Sequence, residues 1–282
     1  SAAASARVLG LDEQQTVYAL GIAGTQASGL KRVFVTMCKP FHAGKSSMAG
    51  LMSALLAGEG FTSAEDILEG QHGFLQVLQG QMNIDVLGTL GKTWEIVNMA
   101  QKYHASCHAT HSPIEAALEI VKKEGLNPDE IKSMKIYCSE LAIDAAGKPA
   151  PTTGLEGKFS IAYCVANALL RGNVDVGKKY KDIFILSAIK ELCKKITVVT
   201  DKEFSELQAR VEIETNSGQI FSGLSDVMKD VPPYDAKEVK IKAKFMDLCS
   251  PVIGESKAGE LLEQIVSLEK VEDMKDLTRI IQ

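Results

Sequence analysis

Two stretches of the chain gather side chains able to hold anions and move protons. The first is Lys39-Pro-Phe-His42-Ala-Gly-Lys45-Ser-Ser. It sets two lysines and a histidine on what Pro40 and Gly44 mark as a loop feeding a helix that resumes at Ser46 and stops at Gly58-Glu-Gly60. Free backbone N–H groups and the helix dipole make such an end attractive to carboxylates. Lysines on a solvated loop would give the same pattern. Gly44-Lys45-Ser46 is not a nucleotide-binding P-loop, because the glycine required five residues earlier is Lys39. The second stretch is Lys102-Tyr-His104-Ala-Ser-Cys107-His108-Ala-Thr-His111. On a helix its three histidines would share a face, as metal ligands do. However, Ser112-Pro-Ile-Glu115 carries the signature of a helix start: Ser as N-cap, Pro in the first turn, Glu three residues on. The cluster then precedes the helix, and no distal Cys, His or Asp group completes a ligand set. The expectation is no metal, and a cationic loop at a helix N-terminus with a histidine able to transfer protons near neutral pH. Tyr163 is a third candidate. It sits on an otherwise apolar helix with Ile161, Val165, Ala168 and Leu169, where a core tyrosine with a satisfied hydroxyl would look the same.

The elements around these residues fall into three blocks. The chain opens Ser1-Ala-Ala-Ala-Ser without Met and runs on as a helix already in progress, which suggests a fragment or a processed chain. A Gly-Leu turn leads to a second helix capped near Asp12, with small side chains through residue 30 that allow close packing. Thr62-Ser-Ala-Glu65 resembles a capping box opening a short helix through Leu68. Up to about residue 97 the chain reads as helices and loops. Residues 99–231 read as α+β. There is a helix over 112–124 closed by Gly125, a strand over 132–138, and a helix over 159–171 closed by Gly172. Strands follow over 196–199 and 210–215, and Asn216-Ser-Gly218 turns into another at 219–222. Val231-Pro-Pro233 breaks the pattern, and 235–248 and 258–268 are amphipathic helices. The expected fold class is α+β: a mainly helical domain (1–98 and 232–282) interrupted by an α+β lid (99–231), with 235–282 packing back on 1–97.

Composition narrows the function. The 282 residues are 45% hydrophobic and 24% charged, enough for a large core or two domains. The net charge is −5 and the basic residues are scattered among acids, which argues against a nucleic-acid face. No run of about 18 apolar residues suggests a membrane span. The six cysteines are far apart and form no CxxC pair. They read as reduced thiols, mostly small core residues, in a cytoplasmic protein.

Five segments in fixed order resemble one family. Gly21-Ile-Ala-Gly-Thr-Gln-Ala-Ser-Gly-Leu30, Lys39-Pro-Phe-His-Ala-Gly-Lys45 and Gly60-Phe-Thr-Ser are similar to the helical domain of MmgE/PrpD proteins. Lys102…Cys107-His-Ala-Thr-His111 and Lys158-Phe-Ser-Ile-Ala-Tyr163 are similar to its inserted lid. The resemblance implies cofactor-free chemistry on small di- or tricarboxylates, of the kinds shown by 2-methylcitrate dehydratase, cis-aconitate decarboxylase and iminodisuccinate epimerase. It implies an active site between helical domain and lid, with Lys39 and His42 from the former and Lys102, His111 and Tyr163 from the latter. Lys45, His108 and Lys158 would bind substrate. It also implies a homodimer when full-length. The expected reaction is that of a 2-methylcitrate dehydratase-like lyase. The alternatives are a dicarboxylate epimerase or isomerase, and a non-catalytic fragment or paralogue. Lys45 and His108 stand where Arg is common in the family, and Lys45 loses the bidentate fork. Cys107 stands at a position that resembles a histidine of the vertebrate decarboxylase, which counts against decarboxylation. The resemblance also implies a missing first portion, roughly a third of the family's length.

Overall fold

Asp12 precedes an apolar run, and its carboxylate accepts from the Gln15 backbone at 2.8 Å while the Gln15 side chain accepts from the Asp12 N–H at 3.1 Å. This reciprocal cap opens α2 (Glu13–Thr25), which follows α1 (Ala2–Leu9) through Gly10 at φ +70°. The computed structural model describes residues 1–171 and 187–281. They fall into two compact units, Ser1–Met99 and Ala100–Gln282. In the first unit α1 and α2 pack with α3 (Cys38–Gly58) over a core of small side chains: Ala6, Ala19, Ala54 and Ala57 are fully buried. A methyl group on Gly21 would lie 2.5 Å from Ser63 Oγ and 2.7 Å from the Ala64 carbonyl, so the chain at 63–64 crosses directly over α2.

Two expectations for this unit are corrected. Residues 39–45 are not a loop: α3 already begins at Cys38. Pro40 lies in the first turn, where its missing N–H would have had no helical partner anyway, and one interior glycine at 44 costs only about 1 kcal/mol against alanine. Residues 62–65 open no helix. Glu65, which should have reached back to the cap, instead accepts from Gln14 Nε2 at 2.8 Å. Beyond them lie α4 (Phe74–Val77) and 3₁₀ turns at Ile84–Thr89 and Glu95–Asn98, and Leu90, Trp94 and Val97 stay exposed.

The second unit is built on a four-stranded sheet. Its elements in chain order are α5 (His111–Glu124), β1 (Ile131–Cys138), α6 (Glu140–Ala146), α7 (Gly154–Gly157), α8 (Ile161–Arg171) and α9 (Ser187–Lys194). Then come β2 (Ile196–Thr200), β3 (Gln208–Thr215) and β4 (Ile220–Asp226). The spatial order is β2-β1-β3-β4, with β1 and β2 parallel and the other pairs antiparallel. Ala209, Val211 and Ile213 alternate inward on β3 as the charge/apolar pattern requires. On β1 the inward set is Ile131, then Met134, Ile136 and Cys138. The change of phase is a bulge. Ile131 faces Thr215 and Ser133 faces Glu214, so Lys132 is an extra residue and every later side chain changes sides. The inner face is covered by α5 and α8; the core includes Ile114, Ile120, Ile161, Val165 and, from α9, Ile189. On the other face Lys132 pairs with Glu214 at 2.6 Å and the Tyr137 hydroxyl donates to Glu212 at 3.0 Å. The β3–β4 hairpin turns at Gly218, φ +82°, and β4 runs on to Asp226, past the expected residue 222. Gly172, read as the end of α8, lies outside the described residues.

Three helices complete the chain: α10 (Tyr234–Ile253), α11 (Glu255–Val266) and α12 (Met274–Ile280). No residue of α10 is buried. It is tied within the second unit by Lys240, 3.2 Å from Glu115 of α5, and by Lys244, whose ammonium donates to the Lys102 carbonyl. Among the described residues, no helix is long and apolar enough to cross a membrane.

Candidate active site

Residues 102–107 run without regular structure into a 3₁₀ turn, His108–Thr110, and this turn continues directly into α5, so that His111 is its first residue. Side-chain and backbone ties fix the approach. The Cys107 N–H donates to the Lys158 carbonyl at 2.9 Å, the Thr110 hydroxyl donates to the Cys107 carbonyl at 2.8 Å, and the Ser106 and Thr110 hydroxyls lie 2.7 Å apart. Ser112 is therefore inside the helix and does not cap it, contrary to the sequence signature. Its hydroxyl donates to the Leu207 carbonyl and accepts from the Val227 N–H at 3.1 Å, binding α5 to the ends of β3 and β4. Glu115, the other half of the expected capping box, turns away to His104, whose Nε2 lies 2.8 Å from its carboxylate.

The three histidines do come together. His111 is only 1% exposed and is met edge-on by His104 (5.1 Å between ring centroids, 71°) and by His108 (5.0 Å, 79°). Neither His111 ring nitrogen has a hydrogen-bond partner. Burial, and then the charges of His104, His108 and Lys102, push its pKa down to about 2 against a weaker contrary pull from the His104 backbone. The imidazole is therefore neutral at neutral pH, yet it keeps one N–H to donate and one nitrogen to accept. His108 is also shifted down, by burial first and then Lys102, with Glu206 opposing. Lys102 is exposed, and its ammonium approaches the Ser106 carbonyl at 3.4 Å. Burial lowers the pKa of Lys158. Glu115 resists ionisation through its burial, but the hydrogen bond and charge of His104, together with Lys240, outweigh that and leave its pKa lowered. Among the described residues no group of three or more His, Cys, Asp or Glu side chains is arranged to hold a metal. Tyr163 lies on α8. It is 4% exposed within the core; the groups facing its hydroxyl include Cys164, Cys193 and Arg171, and burial raises its pKa.

In the first unit Lys39, His42 and Lys45 form a half-buried stripe along α3, spaced three residues apart while Phe41 and Gly44 stay exposed. The Lys39 ammonium stands 5.0 Å over the Phe34 ring. His42 packs against Gly29, which at φ +154° has a backbone that suits glycine; a Cβ there would come 3.2 Å from the imidazole carbon. Lys45 donates to the Ser28 hydroxyl. Beside it is a cleft of about 330 Å³ lined mostly by apolar and small side chains, with Gln26, Ser28 and Ser46 as polar neighbours of Lys45. Sequence reasoning set His104 aside with the metal pattern and took Glu115 for a cap. Their eleven-residue separation matches no local motif that would have joined them.

Comparison with known proteins fixes the family. Residues 104–270 match the MmgE/PrpD C-terminal domain and residues 1–87 the MmgE/PrpD N-terminal domain. The chain belongs to the MmgE/PrpD family. It is 28% identical to the cis-aconitate decarboxylase-like protein oryM of Aspergillus oryzae, over all of this chain and 62% of that protein. It is 26% identical to a cis-aconitate decarboxylase of Aspergillus terreus, over 99% of this chain and 62% of that one. It is 29% identical to the mitochondrial 2-methylcitrate dehydratase of Yarrowia lipolytica, over 73% of this chain and 41% of that one. The chain thus spans about three-fifths of the length of the relatives it matches from end to end.

Proposed function

We propose that the protein to which this chain belongs is a cofactor-independent lyase acting on a small tricarboxylate. The observation that carries the reading is His111: a desolvated, neutral imidazole with no side-chain hydrogen bond, at the start of α5 behind the loop that bears Lys102. Loss of water or of carbon dioxide from a polycarboxylate builds negative charge on a carboxylate beside the reacting carbon. A neutral imidazole aimed at that charge donates a hydrogen bond without giving up its proton, and in a water-poor site such donors contribute most. Lys102 binds and stabilises the carboxylate. Burial lowers the pKa of Lys158 toward neutral pH, which makes it the proposed proton donor, and the lowered pKa of His108 leaves a neutral imidazole able to accept a proton. Within the first unit, Lys39 and Lys45 with His42 form a separate set of groups able to bind a carboxylate. Tyr163, implied by the family pattern, is left out of the proton-transfer set because burial raises the pKa of its hydroxyl, away from neutral pH.

The names of the relatives favour a tricarboxylate over the dicarboxylate of an epimerase. Loss of water, as from 2-methylcitrate, is the first reading. Loss of carbon dioxide is the second, favoured because the relatives aligned over almost the whole chain bear cis-aconitate decarboxylase names. The full-length protein, given 2-methylcitrate, cis-aconitate and iminodisuccinate separately and followed by proton NMR, decides among them. A new olefinic product from 2-methylcitrate indicates the hydro-lyase, and carbon dioxide release from cis-aconitate the decarboxylase. Turnover of iminodisuccinate alone, or of nothing by a folded protein, removes the proposal.

A further inference from the structure

His104, Glu115 and Lys240 form a continuous line that the chemistry above does not use. Lys240 of α10 stands 3.2 Å from the Glu115 carboxylate and 5.2 Å over the Tyr103 ring. The same carboxylate lies 2.8 Å from His104 Nε2, and the His104 ring meets His111 at 5.1 Å. His104 is 6% exposed, so its side of the contact with the half-buried Glu115 is shielded from solvent.

We propose that Glu115 and Lys240 are positioning residues that act on His111 through His104; the inference rests on the reading of His111 as a hydrogen-bond donor to the substrate. A carboxylate can only accept, so Glu115 requires the proton of His104 to be on Nε2. That bond fixes the plane of the His104 ring, and the ring forms one wall of the His111 pocket. Lys240 holds the carboxylate from the far side, and its approach over Tyr103 limits where it can go. The His111 ring has no side-chain hydrogen bond and its backbone neighbour is His104 itself, so its orientation depends on the rings that flank it: His104 on one side and His108 on the other. The other charged groups near the cluster are Lys102 beside His108 and His111, Glu206 facing His108, and Lys244 at the Lys102 carbonyl.

The test uses the full-length protein and four variants. Glu115→Gln keeps shape and an acceptor but can bond His104 in either tautomer. It is expected to lower kcat about tenfold or more with KM within about twofold, as for a group that acts only as charge develops. Proton–nitrogen NMR of the histidine side chains should show His104 as the Nε2–H form in the wild type and as a mixture in Glu115→Gln. Lys240→Met should move both readouts the same way by less, and Lys240→Arg should restore them. Wild-type kcat in a folded Glu115→Gln protein overturns the proposal, and so does lost activity with an unchanged His104 tautomer, which would mark a merely structural role. His111→Ala separates the two levels. If it retains activity, the reading of His111 fails and this proposal fails with it. If it is inactive while Glu115→Gln is not, only the positioning role is lost.

Discussion

Replacing His111 with phenylalanine should change how stability depends on pH, and the size of the change follows from the pocket. In the unfolded chain this imidazole titrates at the ordinary histidine value of 6.5; in the fold it is held down to about 2. Above 6.5 both states carry it neutral, and its contribution is constant. Below 6.5 the unfolded chain binds a proton that the folded chain cannot take until about pH 2. The unfolded state binds more protons throughout that window, so stability falls as pH falls, and the full contribution is present only above 6.5. Integration between pH 7 and pH 5 gives a loss of about 2 kcal/mol attributable to His111. No discount for solvent is needed at 1% exposure. Since the ring is neutral at pH 7, removing it should leave the charges of His104, His108 and Lys102 largely undisturbed, and any pH-independent packing cost cancels in the comparison.

Native-state hydrogen exchange of the β3 amides in a urea series at pH 7 and pH 5 is the suitable assay. Trp94, the only tryptophan, lies in the first unit and would report on the wrong one. The wild type should lose about 2 kcal/mol more than His111→Phe over this interval. If the two proteins lose the same within about 0.5 kcal/mol, the imidazole is protonated or solvated in the fold. The account of His111 as a neutral donor would then be refuted.

In the full-length protein Lys102→Ala and Lys39→Ala should each lower turnover of the identified substrate by about 10²-fold or more while leaving thermal unfolding nearly unchanged; wild-type rates in steady-state assays would remove both from the site. Tyr163→Phe keeps the buried ring and loses only the hydroxyl, so kcat should stay near wild type, and a fall of about 10²-fold would return Tyr163 to the chemistry. Cys138 and Cys164 are buried, with pKa values pushed up by burial to about 12, whereas Cys38 is exposed. Iodoacetamide at pH 8 should therefore label Cys38 in the native protein and spare the other two, as read by peptide mass spectrometry.

Features set by local pattern were the legible part. The Asp12 cap, the Gly125 stop (φ +66°), the alternation on β3 and the Gly218 turn all depend on residues within one turn or one strand of each other. The two capping boxes read at 62–65 and 112–115 fail for a shared reason. In each the acidic residue that should close the box is taken by a distant partner: Glu65 by Gln14, and Glu115 by His104 and Lys240. Ser112 is likewise claimed by Leu207 and Val227, far along the chain. A charged side chain near a helix end has several possible acceptors and donors of similar strength, and burial decides among them by making the unsatisfied choice costly. Local spacing holds no record of that decision. Its consequence reaches the site: the carboxylate that would have capped α5 instead fixes His104, and His104 walls the pocket of His111. The sequence therefore displayed the histidines as a group. Which of them is dry and neutral, and which is held by a carboxylate, depends on contacts between α5, α10 and the loop at 102–107.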